Sequence, residues 1–274
     1  MRILFLFIIA AFAVSSCTTP FNKVQKSKDY DYKLSKADEY FAKGKYRFAE
    51  ELYVDLFPVF KGTDKFEDLY YKYAYCSYYQ NNFEAASSLF NGFLEVFPTS
   101  KKAEEVAYMN AYSFYKQSPR VELEQVNTMK VIGMMQSFIN THPGSTRIAE
   151  ATDIIDKSRA KLEEKDRLSA ELYYKISQFR AAALAYTNLL NSYPESTKGD
   201  SYLLMSIKSD YQFAKLSVYE KQQERFEKVV SEYNDFADRF PESNLLTEAS
   251  NYNTLSLNHI KEIQNEQTKT SADR

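Results

Sequence analysis

Seven tyrosines, Tyr71, Tyr75, Tyr78, Tyr79, Tyr108, Tyr112 and Tyr115, recur at short, mostly three- and four-residue spacings. Such spacing puts them on faces of two successive helices. Tyrosine offers a broad apolar ring with a polar tip at small entropic cost, which suits holding a peptide. The same stripe would also serve as packing between helices. Few other residues could do chemistry. His142 and His259 stand apart, with no second His or Cys at ligand spacing, so no metal centre is expected. Glu50/Glu51, Glu104/Glu105 and Glu163/Glu164 fall at helical surface positions near lysines and read as a solvated face. The chain has no Gly-rich phosphate loop and no Gly-x-Ser-x-Gly elbow. It is not expected to be an enzyme.

Only two cysteines occur. Arg2 and the apolar run Ile3 to Val14 form a signal-peptide pattern too short for a spanning helix. The run ends in Val14-Ser15-Ser16-Cys17, which resembles a bacterial lipobox. Cys17 would then begin the mature chain and carry diacylglycerol and an N-acyl group such as palmitate. Two or more acyl chains give stable anchoring, at about 0.8 kcal/mol per buried methylene. No other cofactor is expected. Cys76 is left without an internal partner and reads as a small buried thiol.

The elements that must position the tyrosines are marked by a repeated punctuation. Phe97-Pro98-Thr99-Ser100, His142-Pro143-Gly144-Ser145, Tyr193-Pro194-Glu195-Ser196 and Phe240-Pro241-Glu242-Ser243 each follow an apolar helical run. Proline cannot continue the helix before it, and the serine is a good N-cap for the next. The prolines stand 45, 51 and 47 residues apart, against about 34 for an ordinary tetratricopeptide unit. Upstream of them the same pattern recurs: Phe83, Ala86, Phe90 and Phe93; Phe179, Ala182, Tyr186 and Leu189; Phe226, Val229, Tyr233 and Phe236. A first unit has Ala37, Tyr40, Gly44, Tyr46, Ala49 and Tyr53, and the third is degenerate, with Thr128 and Val131. The expected fold is all-α, a tetratricopeptide-like superhelical stack of about five antiparallel helix pairs.

Composition agrees with that fold. The 274 residues include only 6 Gly and 7 Pro, and 35 basic residues nearly cancel 37 acidic ones, so no global field favours nucleic acid. The expected organisation is a signal peptide over 1–16, a lipidated polar tether over 17–28, repeat halves over 29–145 and 146–263, and a disordered tail over 264–274. Long helices are expected over Ser201–Phe240 and Asn244–Ile263.

These features resemble one family. The segment Leu162-Glu163-Glu164-Lys165-Asp166 through Tyr173-Tyr174-Lys175, Phe179, Ala181-Ala182, Tyr186 and Tyr193-Pro194-Glu195-Ser196 is similar to BamD, the lipoprotein of the outer-membrane β-barrel assembly machinery. The third repeat, Gln125 through Thr128, Phe138 and Pro143, with an insertion around Ser118-Pro119-Arg120, is also similar. Asp166 stands where the family usually has Glu, and Ile176 where a second basic residue is common, so no basic contact is carried over there. The resemblance implies a non-enzymatic scaffold in the Bam complex, lipid-anchored at the periplasmic face of the outer membrane. Its later repeats would bind the barrel-forming assembly subunit, and its earlier ones the C-terminal signals of unfolded outer-membrane proteins, promoting insertion. The neutral to basic stretch Thr18-Thr19-Pro20-Phe21-Asn22-Lys23 fits outer-membrane sorting.

Two other readings share the repeat. A periplasmic scaffold for envelope division or peptidoglycan synthesis would usually lack the lipobox and carry a coiled coil ahead of the repeats, and no heptad run appears between Thr18 and Tyr32. A glycan-capturing surface lipoprotein would be longer and would carry Trp, which is absent here.

Overall fold

A computed structural model of the chain describes residues 20–272. The expected signal peptide and lipidated Cys17 lie outside the described residues. Within them twelve helices follow in order: α1 Pro20–Gln25, α2 Tyr30–Ala42, α3 Tyr46–Phe60, α4 Phe66–Tyr79, α5 Phe83–Val96, α6 Ala103–Lys116, α7 Val126–Thr141, α8 Ile148–Lys175, α9 Phe179–Ser192, α10 Gly199–Lys215, α11 Tyr219–Arg239 and α12 Leu246–Ala272. The described residues contain no strand.

The pairs α2/α3, α4/α5 and α6/α7 pack as neighbours in one unit, and α10/α11 with α12 in another. Among the described residues the first unit comprises those up to 120 and 124–158, the second 121–123 and those from 159 onward. The division therefore falls inside α8, past the expected boundary at residue 145. No Pro or Gly interrupts α8 there, so nothing in its sequence marks the change.

Each recurring small residue is closed off by a neighbouring helix. Ala37, Ala49, Ala86 and Ala182 are fully buried, and so are Tyr53, Phe90, Phe93, Val229 and Phe236 around them. The degenerate third pair fills the same positions with Thr128 and Val131, also fully buried. Thr128 satisfies its hydroxyl on Gln125 Oε1 at 2.7 Å, and Ser118 lies beside it at 2.5 Å. Cys76 is buried, and burial pushes its thiol well above the ordinary range.

Three pairs turn identically. Gly44, Asn81 and Ser177 adopt φ of 68°, 60° and 59°. In each, the next amide bonds back to a carbonyl five residues earlier: Lys45 to Tyr40, Asn82 to Ser77, Gln178 to Tyr173. This left-handed close is the usual way to satisfy the last carbonyls of a helix.

Four expectations are corrected. The tether contains helix α1, held by buried Val24 and by Phe21 against Phe48 at 4.7 Å. The supposed helix Ser201–Phe240 is two helices, broken at Leu216–Val218, where Gln222 Nε2 donates to Ser217 O at 3.0 Å and Arg225 bonds Ser217 Oγ. The last helix starts at Leu246 and runs through Ala272, across the tail expected to be disordered. Buried Ile263 and the bond from Tyr219 Oη to Glu266 at 3.0 Å attach that stretch to α11. Finally, the serines after the prolines do not cap α-helices directly. Each accepts the amide two residues on, as Ser100 does from Lys102 at 2.9 Å, closing a turn ahead of the helix.

Candidate peptide-binding surface

The tyrosine stripe belongs to the first unit. Tyr79, at the end of α4, is 47 % exposed. Its ring stacks on Tyr46 at 4.5 Å and lies 5.6 Å from both Tyr75 and Tyr78. Tyr78 reaches Tyr112 of α6 at 6.4 Å, and Tyr112 lies 5.7 Å from Tyr108 and 5.8 Å from Tyr115. Tyr71 contacts Tyr75 at 4.8 Å. All seven rings thus form one connected network.

Two of the seven are core residues. Tyr75 is 6 % exposed and donates its hydroxyl to Glu105 at 2.6 Å, while Tyr108 is 1 % exposed, edge-on to Phe138 and beneath the Arg147 guanidinium at 4.5 Å. They line no open surface, because helices α5 and α7 and the turn before α8 supply Phe90, Phe138 and Arg147 against them. Tyr71, Tyr78, Tyr112 and Tyr115 are half-buried, with Tyr79 outermost. Sequence spacing marked Tyr46 as a repeat residue only. The left-handed turn at Gly44 delivers its ring onto Tyr79, and Phe41 joins at 6.4 Å.

Burial raises the phenols of Tyr71, Tyr78 and Tyr79, Tyr71 to about 12, so they stay neutral donors near neutral pH. Cations border the rings: Lys102 Nζ lies 4.7 Å from the Tyr71 centroid and Lys116 Nζ 5.8 Å from that of Tyr112. An apolar surface edged by cations and neutral hydroxyls can hold a segment with aromatic or aliphatic side chains and a carboxylate.

One carboxylate of each glutamate pair does more than face solvent. Glu50 accepts from Ser77 and Gln80, both at 2.6 Å, Glu105 from Tyr75, and Glu163 from Ser196 at 2.6 Å and from Tyr202. These bonds join one helix pair to the next. The histidines are ring-stacked, His142 on Phe138 and His259 on Phe226. Among the described residues no group of three or more His, Cys, Asp or Glu could hold a metal ion, and no helix is long and apolar enough to cross a membrane.

The family model YfiO, described as outer membrane lipoprotein, matches residues 26–225. The chain belongs to that family. YfiO is the BamD family, tetratricopeptide-like, which the segment ending at Ser196 resembles. No curated protein matches the chain. Among solved structures, the TPR2AB-domain:pHSP90 complex of yeast Sti1 is similar with a TM-score of 0.38 at 14 % identity, over 83 % of this chain and 98 % of that one. A likeness that distant carries nothing about ligands. The YfiO match includes every tyrosine of the stripe and extends into both units.

Proposed function

We propose that this YfiO-family chain is a non-catalytic, lipid-anchored scaffold for outer-membrane β-barrel assembly. Cys17 carries the acyl chains, and the protein faces the periplasm. Its first unit receives the C-terminal segments of unfolded outer-membrane proteins, and its second engages the barrel-forming subunit. The observation that carries this reading is the ring network running from exposed Tyr79 through Tyr78 to Tyr112.

The chemistry matches the ligand. A nascent barrel's last strand is extended and amphipathic and often ends in an aromatic residue. Rings on a helical surface hold such a strand by its side chains without offering a sheet edge, so it remains free to leave. The anchor raises the effective concentration of both membrane-held partners, so individually weak contacts suffice.

Affinity purification from detergent-solubilised membranes tests the assembly role. Co-recovery of a large barrel protein with periplasmic domains supports it. Consistent failure to recover one, with the chain intact, would leave a general periplasmic scaffold.

A further inference from the structure

The chain is nearly neutral overall, but its first helices are not. Residues 20–48 hold eight Lys or Arg against four Asp or Glu. Several of these cations are neutralised locally: Lys33 by Asp55, Lys36 and Lys43 by Glu39, Arg47 by Glu51. Lys23, Lys26, Lys28 and Lys45 are exposed and form no ion pair among the described residues. The four come from α1, the segment after it and the α2–α3 turn.

The same elements frame an open pocket of about 460 Å³, lined by Phe21, Tyr40, Phe48, Lys45 and the Arg47–Glu51 ion pair among others. Its aromatic wall is one cluster, with Phe21 5.8 Å from Tyr40 and 4.7 Å from Phe48. Lys45 Nζ stands 6.0 Å from the Tyr40 centroid. Pro20 also lines the pocket and follows Cys17 by three residues. Three extended residues span at most about 11 Å.

We propose that this end of the first unit binds anionic phospholipid headgroups at the surface that holds the anchor. The proposal rests on the reading of Cys17 as lipidated. A headgroup phosphate approaches the mouth of the pocket beside Lys45, and the rings of Phe21, Tyr40 and Phe48 lie at the interfacial level where aromatics such as Tyr collect. Lys23, Lys26 and Lys28 add attraction that decays within a Debye length, about 8 Å at physiological salt. The bilayer is favoured over a soluble acidic ligand because the short reach from Cys17 holds the start of α1 at the membrane, where these lysines meet headgroups at high effective concentration.

The test uses the full lipidated protein reconstituted in vesicles of phosphatidylcholine alone or mixed with phosphatidylglycerol, read by flotation and hydrogen exchange. The anionic lipid should slow exchange over α1 and the α2–α3 turn, an effect lost at high salt. Each lysine replaced among K23Q, K26Q, K28Q and K45Q should weaken the contact roughly fivefold. Equal exchange in both vesicles, with the protein floating in both, overturns the headgroup site and leaves the anchor standing. Failure to float with either vesicle overturns the anchor reading and this proposal with it.

Discussion

Ser196 donates its hydroxyl proton to Glu163 at 2.6 Å, joining the turn before α10 to α8. Ser100 does the same to Glu67 at 2.7 Å, and Ser243 to Asp200 at 2.7 Å. The serine that follows each of these prolines thus links the first helix of one pair to the first element of the next. Hydrogen bonds to charged groups contribute about 1.5–3 kcal/mol. Ser145 closes its turn onto Arg147 but donates to no carboxylate among the described residues. Ser196→Ala should therefore lower the urea stability of the second unit by about 1–3 kcal/mol, and Ser145→Ala should have a smaller effect on the first. Equal losses would show that turn closure alone matters.

Gly92 of α5 faces the Tyr70 hydroxyl so closely that an added Cβ would stand 2.2 Å from it. Tyr70 cannot swing aside easily, since Phe57 and Phe93 pack edge-on to its ring at 4.7 and 5.9 Å. Overpacking of this kind costs about 1–3 kcal/mol. Gly92→Ala should lower the melting temperature of the first unit, and Gly92→Ala with Tyr70→Phe should recover part of the loss.

Ser177 holds the left-handed position that Gly44 holds in the first pair. A side chain there costs about 1–2 kcal/mol, less for residues that bond locally. Ser177→Gly should stabilise the second unit by up to about 1 kcal/mol. Gly44→Ala should destabilise the first by about 1–2 kcal/mol through the backbone alone, since an added Cβ at Gly44 meets nothing within 4 Å. Thermal unfolding of the two variants checks both signs.

The second unit contains a buried acidic pair served by one lysine. Lys228 Nζ lies 2.5 Å from Asp210 Oδ2 and 3.5 Å from Glu232 Oε1. Ser206 of α10 donates to Glu232 at 3.3 Å, and Thr187 of α9 reaches Ser206 at 3.1 Å. Burial, then the Asp210 charge, pushes the Glu232 carboxyl from 4.5 up to about 8. The folded state thus holds a proton that the unfolded chain releases. The resulting stability is complete below pH 4.5 and is lost as pH rises toward about 8. Glu232→Gln should flatten that slope and be the more stable form above it. Denaturation midpoints that fall in parallel for parent and variant would contradict this assignment.

The helix ends before Pro98, Pro143, Pro194 and Pro241 were legible because proline leaves a backbone no choice. The break at Leu216–Val218 was not, since it contains neither Gly nor Pro and depends on Gln222 and Arg225 reaching back to Ser217. The helix beyond Asn265 was equally hidden. Its polar composition is that of a tail, and its attachment comes from Tyr219 on another helix. For the tyrosines, the spacing identified one network but not its depth. A stripe with three- and four-residue steps reads alike whether it faces a neighbouring helix or water, and only the packing of Phe90 and Phe138 separates Tyr75 and Tyr108 from Tyr79.

The central claim is that the outer rings of this network bind an extended segment. The direct measurement is fluorescence anisotropy of a labelled peptide ending in phenylalanine, titrated with the parent protein, Tyr79→Ala and Tyr112→Ala. Tyrosine is enriched among the few interface residues whose loss costs more than about 1 kcal/mol, so Tyr79→Ala should weaken binding at least roughly fivefold while the melting temperature stays near that of the parent. Unchanged affinity in both variants, with both folded, would contradict the account.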